Sequence, residues 1–237
     1  MQLRSPRTDV DATTPCLTCA VRDTAACAQL SLAHRIALGS LRRSETLRSG
    51  ETFAWEGEES LVVATLRSGV FKRSLMLSDG REQVVGLAFP GDMVGRLFGA
   101  TTDHSLIAIT DTVLCVFPRA AFERLVAASP ALEHALLVQA LDDLSRAQRQ
   151  MLVLARLSAP QRVATSLLDL VERSIADARG RIAIPLSRQQ LGDLLGLSIE
   201  TVSRKLRDFE RSGHIALPDY RSMVVIDRAG LAAIAAA

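Results

Sequence analysis

The segment LSRQQLGDLLGLSIETVSRKLRDFERSGHI at residues 186–215 constrains the fold of this 237-residue chain more than any other part of the sequence. Ser187 followed by Gln190 is a capping-box pattern, which predicts that a helix begins there. Gly196 is suited to end that helix, because glycine readily adopts the left-handed conformation that follows many last helical turns. Ser198 is a suitable N-cap for a second helix. The segment therefore predicts two short helices joined by a glycine-containing turn.

The second predicted helix has an apolar stripe and a polar stripe on opposite sides. The apolar stripe, which we expect to be buried, consists of Ile199, Val202, Leu206 and Phe209. The polar stripe consists of Glu200, Ser203, Arg204 and Arg207. Arginine bonds guanine at two atoms, glutamate accepts from N4 of cytosine, and serine contacts a base or a phosphate. A second helix with such residues near its start is typical of one that enters the major groove of DNA.

The segment HIALPDYRSMVVID, which follows Gly213, predicts two strands around a PDYR turn, which together would form a wing. An ordinary helical hairpin with a solvated charged face is the alternative explanation for the two helices. The caps, the apolar stripe, the outward Glu200, Ser203 and Arg204, and the wing together favour DNA recognition.

Residues 45–117 have a different pattern, in which short apolar runs alternate with turn signals. The runs are LVVATL at 61–66, VFKRSLML at 70–77, QVVGLAF at 83–89 and TVLCVF at 112–117. Short, evenly spaced strands separated by Gly, Asp and Pro are typical of an all-β roll or barrel. The SDGRE sequence at 78–82 is predicted to be a hairpin loop.

A long helix is predicted to begin at Pro130. Its heptad seam consists of Leu137, Leu141, Leu144, Gln148, Met151 and Ala155. Such a seam either packs along its own domain or pairs with the same helix of a second copy. Gln148 is the polar break in the seam, of the kind that sets register at some cost in stability.

Composition narrows the class of protein. No stretch approaches the roughly 20 apolar residues of a membrane helix, and MQLRSPRTDVDATTP at the start has no apolar core of a secretion signal. We therefore expect a cytoplasmic protein without a membrane partner. A net charge of +2 does not by itself indicate nucleic-acid binding. No arrangement of Ser, His and Asp, metal-hydrolase motif or phosphate loop suggests an enzyme.

Three of the four cysteines fall within twelve positions near the start of the chain. Cys16, Cys19 and Cys27 have the spacing C-x2-C-x7-C, and Cys115 lies far along the chain in TVLCVF. Structural disulfides are rare in a reducing compartment, so two disulfide bridges are not expected. Strand alternation puts Cys115 on the same face as Val113 and Phe117, opposite Leu114 and Val116.

With these features, the chain resembles the CRP/FNR family of bacterial transcription regulators over nearly its whole length. ETVSR at 200–204 is similar to the E-x-x-S-R recognition signature of the FNR branch, and LRSGVFKRSLMLSDGREQVVGLAFPGDMVG at 66–95 also resembles FNR. The resemblance implies an α+β fold in four parts. These are a cysteine-bearing segment at 1–29, a cyclic-nucleotide-binding-like β-roll at 30–129, a dimerisation helix at 130–157 and a winged helix-turn-helix domain at 158–237.

The resemblance also implies a cofactor and its ligands. Oxygen sensors of the FNR type hold a [4Fe–4S] cluster with three N-terminal cysteines and one from the roll, which correspond here to Cys16, Cys19, Cys27 and Cys115. Four thiolates are the usual protein ligands of such a cluster. The alternatives are a zinc site or redox sensing through the same thiols, and buried cysteines without a ligand.

The implied partners are double-stranded DNA, a second copy of the chain and RNA polymerase. A homodimer would bind an inverted repeat with TTGAT-like half-sites, read by Glu200, Ser203 and Arg204. The SDGRE loop, with Asp79 and Arg81, matches a surface that touches RNA polymerase. The segment 93–111 has no pair of motifs like those that bind phosphate and ribose in the cAMP branch, so no cyclic nucleotide is expected. A small enzyme with a regulatory roll is a rival hypothesis, but the winged C-terminus leaves it little room for a catalytic domain.

Overall fold

The computed structural model describes residue 16, residues 19–173 and residues 177–236. One unit contains the described residues up to Lys72 together with Ala88–Asp142. The other contains Arg73–Leu87 together with the described residues from Asp143 onward. Most of the predicted segment 1–29 lies outside the described residues, and the predicted boundaries after residues 29, 129 and 157 stay predictions.

The strands between residues 43 and 118 form two antiparallel sheets. They are β1 (Arg43–Leu47), β2 (Thr52–Ala54), β3 (Val62–Ser68), β4 (Phe71–Met76), β5 (Glu82–Ala88), β6 (Met93–Val94), β7 (Ser105–Ala108) and β8 (Thr112–Pro118). The strand order is β1-β8-β3-β6 in one sheet and β2-β7-β4-β5 in the other. The predicted β-roll is confirmed, and the four apolar runs correspond to β3, β4, β5 and β8.

Two cores lie on opposite faces of strand β8. The first core consists of Ala64, Leu66, Phe71, Ala88, Val94, Leu106, Ala108, Leu114 and Val116. The second core consists of Leu30, Leu38, Val63, Met93, Phe117, Phe122, Val126 and Leu132. Because side chains alternate along a strand, Leu114 and Val116 enter the first core while Phe117 enters the second, with Cys115 packed against it. The predicted alternation of this strand is confirmed.

Helices cover the second core. A 3-10 helix (Ala26–Gln29) precedes α1 (Leu32–Leu41), and α2 (Arg119–Ala127) follows β8 directly. Helix α3 (Pro130–Arg156) begins at the predicted proline. Its first turns contribute Leu132 to the second core, and Leu136 packs against that core. No helix of the described residues combines the length and the apolar character that crossing a membrane requires.

The C-terminal part has the predicted winged helix-turn-helix arrangement. Its elements are α4 (Ala159–Arg173), β9 (Ile182–Ala183), α5 (Arg188–Leu195), α6 (Ile199–Arg211), β10 (Ile215–Asp219), β11 (Ser222–Val225) and α7 (Arg228–Ala236). Strands β10 and β11 form the wing, and β9 pairs with β11 as a third strand. The sequence pattern does not predict α7, which packs against α4 and buries Leu231 fully.

Candidate DNA-recognition helix and cysteine pocket

Helix α5 begins with the predicted capping box. The hydroxyl of Ser187 accepts from the backbone N–H of Gln190 at 3.1 Å, and the side chain of Gln190 accepts from the backbone N–H of Ser187 at 2.8 Å. The helix ends at Gly196, whose φ of +62° is the left-handed conformation that glycine adopts without strain. These contacts confirm the predicted start and end of the first helix.

The turn between α5 and α6 is held by a close approach and by a second cap. A Cβ added to Gly192 would lie 2.5 Å from the carbonyl oxygen of Leu197, so only glycine allows the chain to fold back this tightly. The hydroxyl of Ser198 then accepts from the backbone N–H of Thr201 at 3.3 Å and begins α6 as predicted. The geometry of the turn therefore fixes the direction in which α6 leaves α5.

Three side chains from other elements bond the last carbonyls of α5. Gln83 donates to the carbonyl of Asp193 at 2.6 Å. Gln150 of α3 donates to the carbonyl of Leu194 at 2.7 Å, and Arg162 of α4 donates to that of Leu195 at 2.9 Å. The last carbonyls of a helix have no partner within it, so these bonds replace water there. They fix α5 to β5, α3 and α4, and no local sequence pattern predicts them.

The buried stripe of α6 is confirmed except at one end. Val202, Leu206 and Phe209 are buried, as predicted. Ile199, which the same spacing assigns to the buried stripe, is instead 39% exposed. It is the first residue of α6, so it lies at the open end of the stripe and borders the polar face.

The polar face of α6 is open to solvent as a DNA-reading helix requires. Glu200, Ser203, Arg204 and Arg207 line one shallow surface with Ile199. A hydrogen bond from the Ser198 side chain, and then one from its own backbone N–H, lower the pKa of Glu200, so this carboxylate remains ionised as an acceptor. The face thus presents the acceptor and the guanidinium donors that base edges in the major groove can bond.

The heptad seam of α3 is exposed along its whole length. Leu137, Leu141, Leu144 and Met151 are between 53% and 62% exposed, and Gln148 and Ala155 are also exposed. The predicted alternative in which the seam packs along its own chain is therefore wrong. The residues of α3 that are buried within the chain, such as Leu132 and Val153, lie outside the seam.

The SDGRE loop between β4 and β5 is exposed and internally bonded. Arg81 donates from its backbone N–H and its Nε to the carboxylate of Asp79, at 3.0 Å and 2.8 Å. The backbone hydrogen bond, and then that of the side chain, lower the pKa of Asp79. The predicted hairpin loop is confirmed, and Asp79 and Arg81 bond each other at its tip.

The four cysteines, distant in sequence, line one pocket. Cys16 and Cys19 precede the 3-10 helix, Cys27 lies in it, and Cys115 lies in β8. The other residues of the pocket are Val21, Arg22, Arg35, Leu38, Thr65, Arg67 and Phe117. Each of the four cysteines is half-buried and is a free thiol. Among the described residues, no group of three or more His, Cys, Asp or Glu side chains is arranged to hold a metal ion.

The described part of the N-terminal segment is anchored by its own apolar residues. Val21, Ala25 and Leu30 are at most 5% exposed, and the backbone N–H groups of Ala25 and Leu30 donate to the carbonyls of Val21 and Cys27. Leu30 belongs to the second core, and Ala26 and Cys27 pack against that core. This part of the segment is therefore held against the roll.

Two thiols of the pocket have raised pKa values. Burial raises the pKa of Cys27 to about 11, and the neighbouring Cys19 and Cys16 add to the increase while Arg35 opposes it. Burial likewise raises the pKa of Cys115 to about 11, although the charge of Arg42 and a hydrogen bond from it act in the other direction. Without a bound cation, these two side chains are neutral thiols near pH 7.

Comparisons with known proteins agree with this architecture. A model of the Crp-like helix-turn-helix domain matches residues 161–234, and one of the cyclic nucleotide-binding domain matches residues 44–129. The transcriptional activator protein FnrL of Cereibacter sphaeroides is 33% identical over 91% of this chain and 90% of that protein. The chain belongs to the CRP/FNR family of transcription regulators.

Further relatives of this CRP/FNR regulator include the nitrogen fixation regulation protein FixK of Bradyrhizobium diazoefficiens. It is 36% identical over 94% of each chain. Among solved structures, FixK2 from Bradyrhizobium japonicum has a TM-score of 0.78 and 31% identity, over 83% of this chain and 98% of that one. The chain is a transcriptional activator of the CRP/FNR type with a DNA-binding helix-turn-helix. Family members function as dimers, and no catalytic activity is indicated.

Proposed function

We propose that this CRP/FNR regulator is an oxygen-responsive activator of the FNR type. Cys16, Cys19, Cys27 and Cys115 would hold a [4Fe–4S] cluster, and the homodimer would bind an inverted repeat with TTGAT-like half-sites while the cluster is intact. The observation that carries this proposal is that four cysteines separated by up to 99 positions line one pocket. Burial of each cysteine for its own packing reason would not bring all four to the same pocket.

The residues of the pocket suit such a cluster in donor type, enclosure and charge. Thiolates are soft ligands, and four of them form the usual protein set for an iron–sulfur cluster. Val21, Leu38 and Phe117 restrict the access of water. Arg35 and Arg67 supply positive charge opposite the thiolates. When bound, the cluster would supply a centre that oxygen degrades. The residues that pack around the cysteines would determine how the loss of the cluster changes the structure.

The second core provides a route from the pocket to the dimer helix. Cys27 and Cys115 pack against the second core, which includes Leu132 in the first turn of α3. Leu136, one turn later, also packs against it. Because tightly packed side chains shift together, a change in the position of the two sulfurs alters the support of α3. This arrangement supports the proposal that the bound cluster affects the position of the first turns of α3, the proposed dimer helix.

The exposed seam of α3 supports a homodimer, and the two-fold axis of such a dimer requires an inverted repeat. Its polar break, Gln148, is exposed with the rest of the seam. In that dimer each copy would present Glu200, Ser203 and Arg204 to one half-site. The exposed Asp79 and Arg81 would contact RNA polymerase. We expect no cyclic nucleotide ligand.

The test is to purify the protein without air and to measure its visible absorption and its content of iron, sulfide and zinc. DNA binding to the symmetric site is then measured before and after exposure to air. We expect iron and sulfide in equal amounts, and site-specific binding that air weakens. Zinc without sulfide, or thiols that respond to oxidants without any metal, would replace this proposal with zinc or redox sensing through the same cysteines.

A further inference from the structure

Two arginines that line the cysteine pocket each bury a nitrogen that has no hydrogen-bond partner among the described residues. These are the Nε atoms of Arg35 and Arg67, which are both inaccessible to water. A buried polar group without a partner destabilises the fold, and a charged group does so more strongly. Two such atoms on the lining of one pocket indicate that a partner binds there.

Arg35 is held against the pocket by the chain around Cys27. Its Nη2 donates to the carbonyls of Ala28 and Leu30, at 3.0 Å and 3.3 Å. These bonds fix the guanidinium beside the 3-10 helix, where its charge acts on the Cys27 thiol. Backbone bonds therefore set the position of Arg35 at the lining of the pocket, while its Nε has no partner among the described residues.

Arg67 reaches the pocket from strand β3. Because side chains alternate along a strand, Arg67 lies on the same face of β3 as Thr65, which pairs with Cys115. Leu66 pairs with Leu114 and the next paired residue is Ser68, opposite Val113, so Arg67 is also the extra residue of a β-bulge. Bulges are frequent next to functional sites. Arg67 lines the pocket together with Thr65 and Cys115.

We propose that Arg35 and Arg67 form a cationic lining that bonds the sulfurs of the group held by the four cysteines and offsets its negative charge. This inference rests on the proposed function. Four thiolates outweigh the positive charge of an iron–sulfide core, so the bound group is an anion in a half-buried site. Hydrogen bonds to the sulfurs and the net charge around a cluster set its reduction potential. The two guanidinium groups therefore make the cluster easier to reduce and harder to remove.

The test compares Arg35→Gln, Arg67→Gln and Arg67→Lys with Arg48→Gln, which removes an equally charged but exposed arginine of the same unit. Each protein is loaded with iron and sulfide without air. The midpoint potential for one-electron reduction by dithionite and the rate of iron loss to a chelator are then measured. We expect a more negative potential and about tenfold faster iron loss in the two glutamine variants. Arg67→Lys, which keeps the charge, should have a midpoint potential close to that of wild type. Arg48→Gln should match wild type in both the potential and the rate of iron loss.

A second measurement uses the metal-free protein. Arg67→Met removes a buried Nε that has no partner among the described residues, so we expect its urea midpoint to equal or exceed that of wild type. If Arg67→Met instead destabilises the metal-free protein, Arg67 has a structural role and the assignment is wrong. Loaded glutamine variants with the wild-type potential would also overturn it and leave the proposed function intact. A wild-type protein that takes up no iron and sulfide would overturn both.

Discussion

Gln150 in α3 donates a hydrogen bond of 2.7 Å to the carbonyl of Leu194, at the end of the first helix of the helix-turn-helix. The bond joins the helix that carries the exposed seam to the helix that orients α6. Gln83 and Arg162 bond the neighbouring carbonyls of Asp193 and Leu195, so the end of α5 has a full set of partners. A shift of α3 is therefore transmitted to α5 through a side chain that bonds its backbone.

The first prediction concerns this bond. Gln150→Leu leaves the half-buried Leu194 carbonyl without its donor, which should lower the free energy of unfolding by about 1–2 kcal/mol. It should also weaken binding to the symmetric DNA site, because α5 loses one of the three side-chain bonds that hold its end. Urea unfolding and fluorescence anisotropy measure the two effects. Gln139→Leu, at a glutamine of the same helix outside the seam, is the control. Equal behaviour of the two variants would show that the Gln150 bond has no such role.

The second prediction concerns base recognition. Arg204 is exposed on α6 beside Glu200 and Ser203. Loss of a bidentate bond from arginine to guanine costs about 1–3 kcal/mol in each half-site. Arg204→Ala should therefore abolish the preference for a TTGAT-type inverted repeat over a scrambled duplex, while salt-sensitive non-specific binding persists. Arg211→Ala, in the last turn of the same helix, should keep the preference. A variant at Arg204 with full discrimination would contradict the assignment of the recognition helix.

The third prediction concerns activation. The ion pair of Asp79 and Arg81 lies at an exposed hairpin tip, 2.8 Å from Nε to Oδ2, where nothing in the described chain needs it for packing. Replacing both residues with alanine should reduce transcription from a target promoter without reducing promoter occupancy. In vitro transcription and footprinting on the same template measure both, with Arg48→Ala as an exposed control on another turn. Parallel losses of occupancy and transcription would indicate misfolding instead of a lost polymerase contact.

The fourth prediction concerns the dimer. Leu144 lies in the middle of the seam and is 54% exposed in the single chain. Burial of such a side chain stabilises an interface by about 1.5–3 kcal/mol in each copy, and a carboxylate in its place must lose its hydration. Leu144→Asp should therefore sediment as a monomer and lose affinity for the inverted repeat. Arg149→Asp, which also adds a carboxylate to α3 but outside the seam, should remain dimeric. A dimeric Leu144→Asp protein would place the interface elsewhere.

Local signals in the sequence predict the parts of the fold whose residues are close in the chain. The capping box of Ser187 and Gln190, the turn at Gly196 and the alternation around Cys115 all follow from spacing, and all are present in the structure. Ile199 is the exception, because it is exposed although its spacing assigns it to the buried stripe. Periodicity assigns a residue to one face of a helix but does not show how far that face is covered.

The surroundings of the cysteines depend on contacts that no local pattern contains. Arg67 lies beside Cys115 in the pocket, and this proximity is visible only once β3 and β8 are paired. Gln150 and Leu194 are likewise 44 positions apart in the chain. A glutamine or an arginine in a helix or strand is ordinarily a solvated residue, so its type gives no sign of such a role.

The most direct test of the account is the iron and sulfide content of Cys115→Ala, purified without air beside Cys19→Ala and wild type. Cys115 is the ligand that would tie the N-terminal cysteines to the rigid roll and, through the second core, to α3. We predict that both variants lose iron, sulfide, visible absorbance and anaerobic DNA binding together, while Val113→Ala on the same strand loses none of them. Far-UV circular dichroism should stay near that of wild type in all three. A Cys115→Ala protein that retains a full complement of iron and sulfide would contradict the four-cysteine site.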